Sequence, residues 1–490
     1  MFFLGVDIGT TRMKAALADM HENTVDLAAA PVKVRFPFEG ACEINMEELW
    51  RTFCTLTKQL KERNPLIWNE VAGVGVTGQG DGLWPLDRYG DPVRNSILWN
   101  DTRTKNLKLK DRELIDELCA GHCANVVYAG SSHILLRWLK ENEPHSFKRI
   151  SSVLHCKDWV NFRLTGHLAT DLSDASTALL DVRRKKYVPE ILDAMGISEC
   201  RSLFPEPTAS TTVIGRITKK ACDESGINEG IPVIAGSIDT AAVALGAGVE
   251  EVGQACTIAG TTLCNEMVLE VHQVDFKKGL IVCHIANEKY LSLIATLSGA
   301  STIDWVKSML FPELSFKELE AELEKVPVGS RGIVYHPYLY GERAPFRNPF
   351  ACGGFFGLSA THSKYDMARS AYEGLVLSLY DCYRSLPQIY DSVYVSGGGS
   401  ASILLCQMIA DCLGKNVLRP SFGELGIRGI VSALKSGLGI PRESSRARGE
   451  NCRLFTPYEP EHKKYLKLYE LFKEMQFLMH DFWLKRTAFL

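Results

Sequence analysis

A glycine followed by two hydroxyl side chains, directly behind an acidic residue, is a set of atoms suited to phosphate. The sequence has one at Asp7-Ile8-Gly9-Thr10-Thr11. Glycine lets the main chain approach the anion, and successive N–H groups and the threonine hydroxyls donate to its oxygens. An acidic residue on the preceding strand can hold Mg²⁺ through water. Alone, such a segment is more often only a turn. The same grammar recurs at Gly260-Thr261-Thr262, and two such turns could grip the β- and γ-phosphates of one nucleotide. A third glycine turn, Gly397-Gly398-Gly399, opens a helix. It suits either a phosphate or an adenine face.

Asp239 follows an apolar run and a Gly-Ser turn and begins an alanine-rich helix. It reads as an N-cap or as a general base that takes a proton from a sugar hydroxyl during phosphoryl transfer. Spacing alone leaves both open. Trp99-Asn100-Asp101-Thr102-Arg103 combines a ring that stacks on C–H faces with charged groups that bond hydroxyls, or is a surface loop with an Asp–Arg pair. Gln79-Gly80-Asp81-Gly82 is a polar loop at a strand end, where ligands sit in α/β folds. Its glycines predict mobility. Lys157-Asp158 precedes a helix and reads as its cap.

These residues need elements to hold them. Phe2 to Asp19 and Gln254 to Glu270 each place two apolar runs around a Gly-Thr-Thr turn, which predicts two β-hairpins. They lie about half a chain apart, which suggests two related α/β domains. Met46 to Glu62 reads as a helix and Val71 to Gly78 as a buried strand. Pro232 to Gly248 reads as strand, turn and helix, and the domain cut is placed after it, giving 1–248 and 249–490. In the tail, Tyr465, Leu468, Tyr469, Phe472, Met479 and Phe482 share one helical face, the pattern of a packing helix.

The 490 residues hold 55 Lys+Arg against 58 Asp+Glu, with 46% hydrophobic residues. That composition excludes a disordered chain and argues against a nucleic-acid binder. No run reaches the roughly 18 apolar residues of a membrane span. The start reads as a first strand, not an export signal. The 15 cysteines then read as reduced thiols of a cytoplasmic protein. Cys119-Ala-Gly-His122-Cys123 lacks a second cysteine pair and reads as a half-buried helix segment rather than a zinc site.

Together these pieces resemble the FGGY carbohydrate kinases, of the actin/hexokinase/Hsp70 superfamily. The resemblance runs in order through GVDIGTTRMK, GVTGQGDGLWPLD, the W-x-D-x-R element at Trp99–Arg103, Lys157 to Gly166, and Thr170 to Ser176. It continues through Gly236 to Gly248, Gly341 to Pro345, and Gly353 to Glu373. It implies two ribonuclease-H-like α/β domains with an interdomain active-site cleft, ATP and Mg²⁺ as cofactors, and a small sugar or polyol as the only partner, with a homodimer left open. Carried over, Asp239 is the catalytic base and Asp7 supports Mg²⁺. Thr10, Thr11, Gly260, Thr261, Gly398, Gly399 and Ser402 line the nucleotide. Gln79, Gly80, Asp81, Trp99, Asp101 and Asp239 line the sugar. After the glutamine, xylulokinases usually carry Met-His-Gly and glycerol kinases carry Arg-Glu. Here Gly80-Asp81-Gly82 looks more like the L-xylulose/3-keto-L-gulonate and erythritol kinases. Phosphorylation of a pentulose of L-xylulose type at a terminal hydroxyl is the favoured expectation. An erythritol-type polyol kinase and an actin- or chaperone-like ATPase are the alternatives. Asp81 favours a neutral substrate unless Arg103 or Arg343 balances an acidic one.

Overall fold

In the computed structural model, the described residues are 1–123, 125, 127–273, 280–286, 288–387, 392–421, 423–442 and 452–489. They form two bodies. The first takes in Met1–Glu250, Leu269–Leu291 and the stretch carrying the helix Leu425–Gly437. The second takes in Glu251–Val268, Ser292–Ser421 and the stretch carrying the helix Glu459–Arg486. The chain first passes between them at Glu250–Glu251, two residues from the cut drawn in the sequence. Each body is nevertheless discontinuous, because 269–291 and the Leu425 helix return to the first.

The first body's sheet runs Val213–Arg216, Pro232–Ile234, Val71–Gly78, Phe2–Ile8, Arg12–Ala18, Thr24–Pro31. Phe2–Ile8 pairs antiparallel with Arg12–Ala18 and parallel with Val71–Gly78. Successive side chains on a strand face opposite ways, and the two central strands sort their residues accordingly. Leu4, Val6, Ile8, Val74 and Val76 are buried in a core with Leu49, Trp50, Phe53 and Leu60 of the helix Met46–Arg63. Gly5, Gly73 and Gly75 face the other way, against Ile427, Ile430, Val431 and Leu434 of the Leu425 helix. That helix in turn packs on Asp239–Ala247 at a contact only glycine permits. A Cβ on Gly429 would lie 1.8 Å from the Ala242 carbonyl oxygen, and one on Gly246 would lie 2.0 Å from that of Leu425.

The second body repeats the opening motif. Ala255–Ala259 pairs antiparallel with Leu263–Leu269 and parallel with Ser392–Ser396, which pairs parallel with Asn416–Pro420. The C-terminal helix buries Tyr465, Leu468, Phe472, Gln476 and Trp483. Phe482, assigned to that face from sequence, is 51% exposed, and Trp483 fills the place instead. The positions 472, 476 and 483 keep the helical period, and 482 falls about 100° from its neighbour.

Candidate active site

In the first body the Gly9 turn is closed by Gly9 N–H donating to the Arg12 carbonyl at 3.0 Å. This places Thr10 beside the substrate loop. Trp99 Nε1–H donates to Thr10 Oγ1 at 3.2 Å, and Thr10 Oγ1–H donates to Gln79 Oε1 at 3.1 Å. Gln79 N–H bonds the Ile8 carbonyl at 2.9 Å. Three residues singled out separately, Thr10, Gln79 and Trp99, are therefore one hydrogen-bonded row, while Thr11 stays exposed at the turn.

Asp239 is the first helical residue of Asp239–Ala247. The N-cap is Ile238, so the capping alternative read from sequence is corrected: Asp239 Oδ1 accepts from the adjacent Thr240 N–H, at 2.8 Å. Burial pushes its carboxyl up to about 7, with the neighbouring Asp7 charge adding to the effect. Asp7 is raised to about 6, again chiefly by burial, against the pull of Lys14, its cross-strand partner. Among the described residues, no side chain or N–H donates to the Asp7 carboxylate. Two adjacent carboxylates, both pushed up and short of donors, fit a divalent cation, which would lower both. The Gly-Ser turn before Asp239 is more than a turn: Ser237–Ile238 is a short strand parallel to Thr77–Gly78.

The Asp81 loop, expected to be mobile, is tied by its central residue to neighbouring elements. Asp81 is 3% exposed, with φ +56°, and its carboxylate accepts from the Tyr128 hydroxyl and from Ser132 N–H at 3.1 Å. Burial raises its pKa. Gly82 N–H also bonds the Gly130 carbonyl. Asp101 is likewise engaged: it accepts from Cys42 N–H at 2.7 Å and pairs with Arg103, which also holds Glu43 at 2.7 Å. This ion pair is buried, not the surface pair read from sequence.

Sequence reasoning missed a hub beneath this loop. Lys157 is fully buried, and its ammonium meets Asp158 Oδ1 at 2.6 Å, Asp171 Oδ1 at 2.9 Å and Asp174 Oδ2 at 2.8 Å. Burial alone would lower its pKa, but the three carboxylates hold it charged. The cap of this helix is His155, with Asp158 completing a capping box. His155 is raised to about 8, because Asp174 and Asp158 outweigh burial. A ring nitrogen of His155 and oxygens of Asp158 and Asp174 lie within 4.8 Å of one another. Lys157 already supplies the cation there, so the cluster needs no metal. The Cys119–Cys123 segment is a single π-helical turn with both thiols buried.

In the second body three backbone turns converge. Gly260 N–H bonds the Thr262 carbonyl at 3.0 Å, and Ala300 N–H bonds the Gly260 carbonyl at 2.8 Å. The Gly299 Cα packs on Thr262, and Gly399 packs between Ala259 and Ala300. Gly398 faces open space. Gly260, Thr261, Gly398 and Gly399 are thus brought together with Gly299, which sequence reasoning did not single out. Ser402 caps the helix Ile403–Leu413, accepting Leu405 N–H at 2.9 Å.

Residues 2–246 match the N-terminal domain of the FGGY family of carbohydrate kinases, and residues 255–434 match its C-terminal domain. The chain belongs to that family and is a sugar kinase. It is 28% identical to a xylulose kinase of Bacillus subtilis (97% of this chain, 96% of that one). It is 26% identical to the L-xylulose/3-keto-L-gulonate kinase of Escherichia coli, at the same coverage. The crystal structure of a xyloylose kinase from Brucella ovis superposes with a TM-score of 0.89 at 25% identity, covering 98% of this chain and all of that one.

Proposed function

We propose that this kinase transfers the γ-phosphoryl group of ATP to a terminal hydroxyl of a small neutral ketose, a pentulose of L-xylulose type first, with Asp239 as general base. The observation that carries the reading is the Asp239–Asp7 pair: a carboxyl poised near neutral pH beside a donor-poor carboxylate. A base is most effective with its pKa near the operating pH. Asp7, with Asp239 close by, would hold Mg²⁺, and the metal when bound would neutralise charge on the phosphates. The Gly9-Thr10-Thr11 turn and the Gly260, Gly398 and Gly399 turns would supply N–H donors to the nucleotide. Gln79 and Trp99 would orient the sugar.

Arg103, one of the two cations that could balance an acidic substrate, is committed to Asp101 and Glu43, and the other, Arg343, donates its Nε–H to the Ala295 carbonyl at 2.8 Å. That supports a neutral sugar over a keto-acid. The relatives' names, xylulose kinase and L-xylulose/3-keto-L-gulonate kinase, support a pentulose. The test is a coupled ADP-release assay over L-xylulose, D-xylulose, L-ribulose, erythritol and 3-keto-L-gulonate with Mg·ATP. The expected outcome is highest kcat/KM for a pentulose. A highest kcat/KM for the keto-acid, or full ADP release without any sugar, overturns the reading.

A further inference from the structure

We infer that Ser173 and Thr77 are positioning residues that hold the peptide in front of Asp239, and that they thereby set the rate of phosphoryl transfer; this rests on the reading of Asp239 as the base. The Lys157 ammonium fixes Asp171 Oδ1. The other oxygen, Asp171 Oδ2, accepts from Ser173 N–H at 2.9 Å, from the Ser173 hydroxyl at 2.6 Å and from the Ser210 hydroxyl at 2.6 Å. A carboxylate only accepts, so Ser173 must give it the single hydroxyl proton. The Ser173 oxygen is then left to accept, and it takes Ile238 N–H at 2.9 Å.

The peptide is held from the other side as well. The Thr77 hydroxyl donates to the Ser237 carbonyl at 2.7 Å. The strand pairing aligns Ser237 with Thr77 and Ile238 with Gly78. Ile238 is also seated sideways: its Cδ1 lies so close to Gly80 that a Cβ there would be 2.1 Å away. Ser173, Thr77 and Ile238 are all buried. Asp239 therefore follows a Ser237–Ile238 peptide whose carbonyl and N–H are both held, and an Ile238 side chain that is seated against Gly80.

Neither hydroxyl is needed for charge balance. Without the Ser173 hydroxyl, Asp171 keeps Lys157, Ser210 and two N–H groups, and Ile238 N–H loses its partner. An unsatisfied buried N–H drives the backbone to shift toward another acceptor. A displacement of about 1 Å at a reacting group costs about a hundredfold in rate.

The experiment compares Ser173→Ala, Thr77→Val and Asp239→Asn with the wild type at a temperature where circular dichroism shows each folded. Single-turnover phosphorylation, the KM of sugar and ATP, and sugar affinity by calorimetry are read. Ser173→Ala and Thr77→Val are expected to lower the single-turnover rate by about 10- to 100-fold, with sugar affinity and both KM values within twofold. A purely structural role would lower the melting temperature and the active fraction but leave that rate unchanged. Should Ser173→Ala fail to fold, the volume-conserving Thr77→Val carries the test alone. A wild-type rate in whichever of these variants folds, with Asp239→Asn inactive, overturns the inference. Full activity in Asp239→Asn overturns the reading of the base instead.

Discussion

Replacing Asp239 by Asn should inactivate the protein and stabilise it, and the stabilisation should depend on pH. The Asn side chain keeps the acceptor for Thr240 N–H and removes the ionisable group. Burial and the Asp7 charge raise the Asp239 carboxyl from 3.8 to about 7. At about 1.4 kcal/mol per pKa unit, ionising it in the folded protein costs about 4 kcal/mol. The side chain keeps a partly exposed edge, and solvent there reduces the figure to about 2–3 kcal/mol. The native state holds this proton more tightly than the unfolded chain does. The stability the group contributes is therefore whole below pH 3.8 and is lost as pH rises through about 7. Asn has no such dependence. Thermal unfolding should show the variant's advantage over wild type growing by about 2 kcal/mol between pH 5 and pH 8. In parallel, phosphorylation should fall by at least about a hundredfold. A variant that gains no more stability at pH 8 than at pH 5, or that keeps its turnover, refutes the argument.

Other substitutions probe the surrounding contacts. Tyr128→Phe leaves the buried Asp81 carboxylate without its hydroxyl donor; about 1–3 kcal/mol of stability should be lost and the sugar KM should rise, as denaturant melts and steady-state kinetics would show. Lys157→Met leaves three buried carboxylates facing one another, so a loss of about 3–5 kcal/mol or outright misfolding is expected, and a wild-type melting temperature would contradict the hub. Gly80→Ala drives a methyl group into Ile238 and the Asp174 carboxylate; overpacking should cost about 1–3 kcal/mol, with kcat falling. Ser402→Ala should cost about 1 kcal/mol through the lost cap while the KM for ATP stays within twofold; a tenfold rise would return Ser402 to the nucleotide.

Both hairpins were legible because a Gly-Thr-Thr turn between apolar runs is a local signal, complete within about a dozen residues. The helix at Met46 and the strand at Val71 were legible for the same reason, each carrying its own period. The Lys157 hub was not, although every member lay in a segment already singled out. Lys157, Asp171, Asp174 and Ile238 meet only because the topology gathers three separate stretches, and no spacing encodes that meeting. Asp81 shows the opposite failure. Its flanking glycines signalled freedom, but the partners that immobilise it, Tyr128 and Ser132, lie about fifty residues away. A single linear cut could not foresee that the Leu425 helix crosses back to the first body. The signal for that return was the row Gly5, Gly73 and Gly75, a smooth sheet face that some other element had to cover.

The Gly246–Gly429 contact also sets a schedule for the growing polypeptide. The Asp239 helix leaves the ribosome about 180 residues before the helix that covers it, which at about 5–20 residues per second is a wait of roughly ten to thirty-five seconds. Through that interval the nascent first body has an uncovered apolar sheet face and no seat for the Asp239 helix. A premature stop anywhere before the Leu425 helix should therefore yield an insoluble fragment, not a sugar-binding half, and the wait is a natural point for a chaperone to engage the chain.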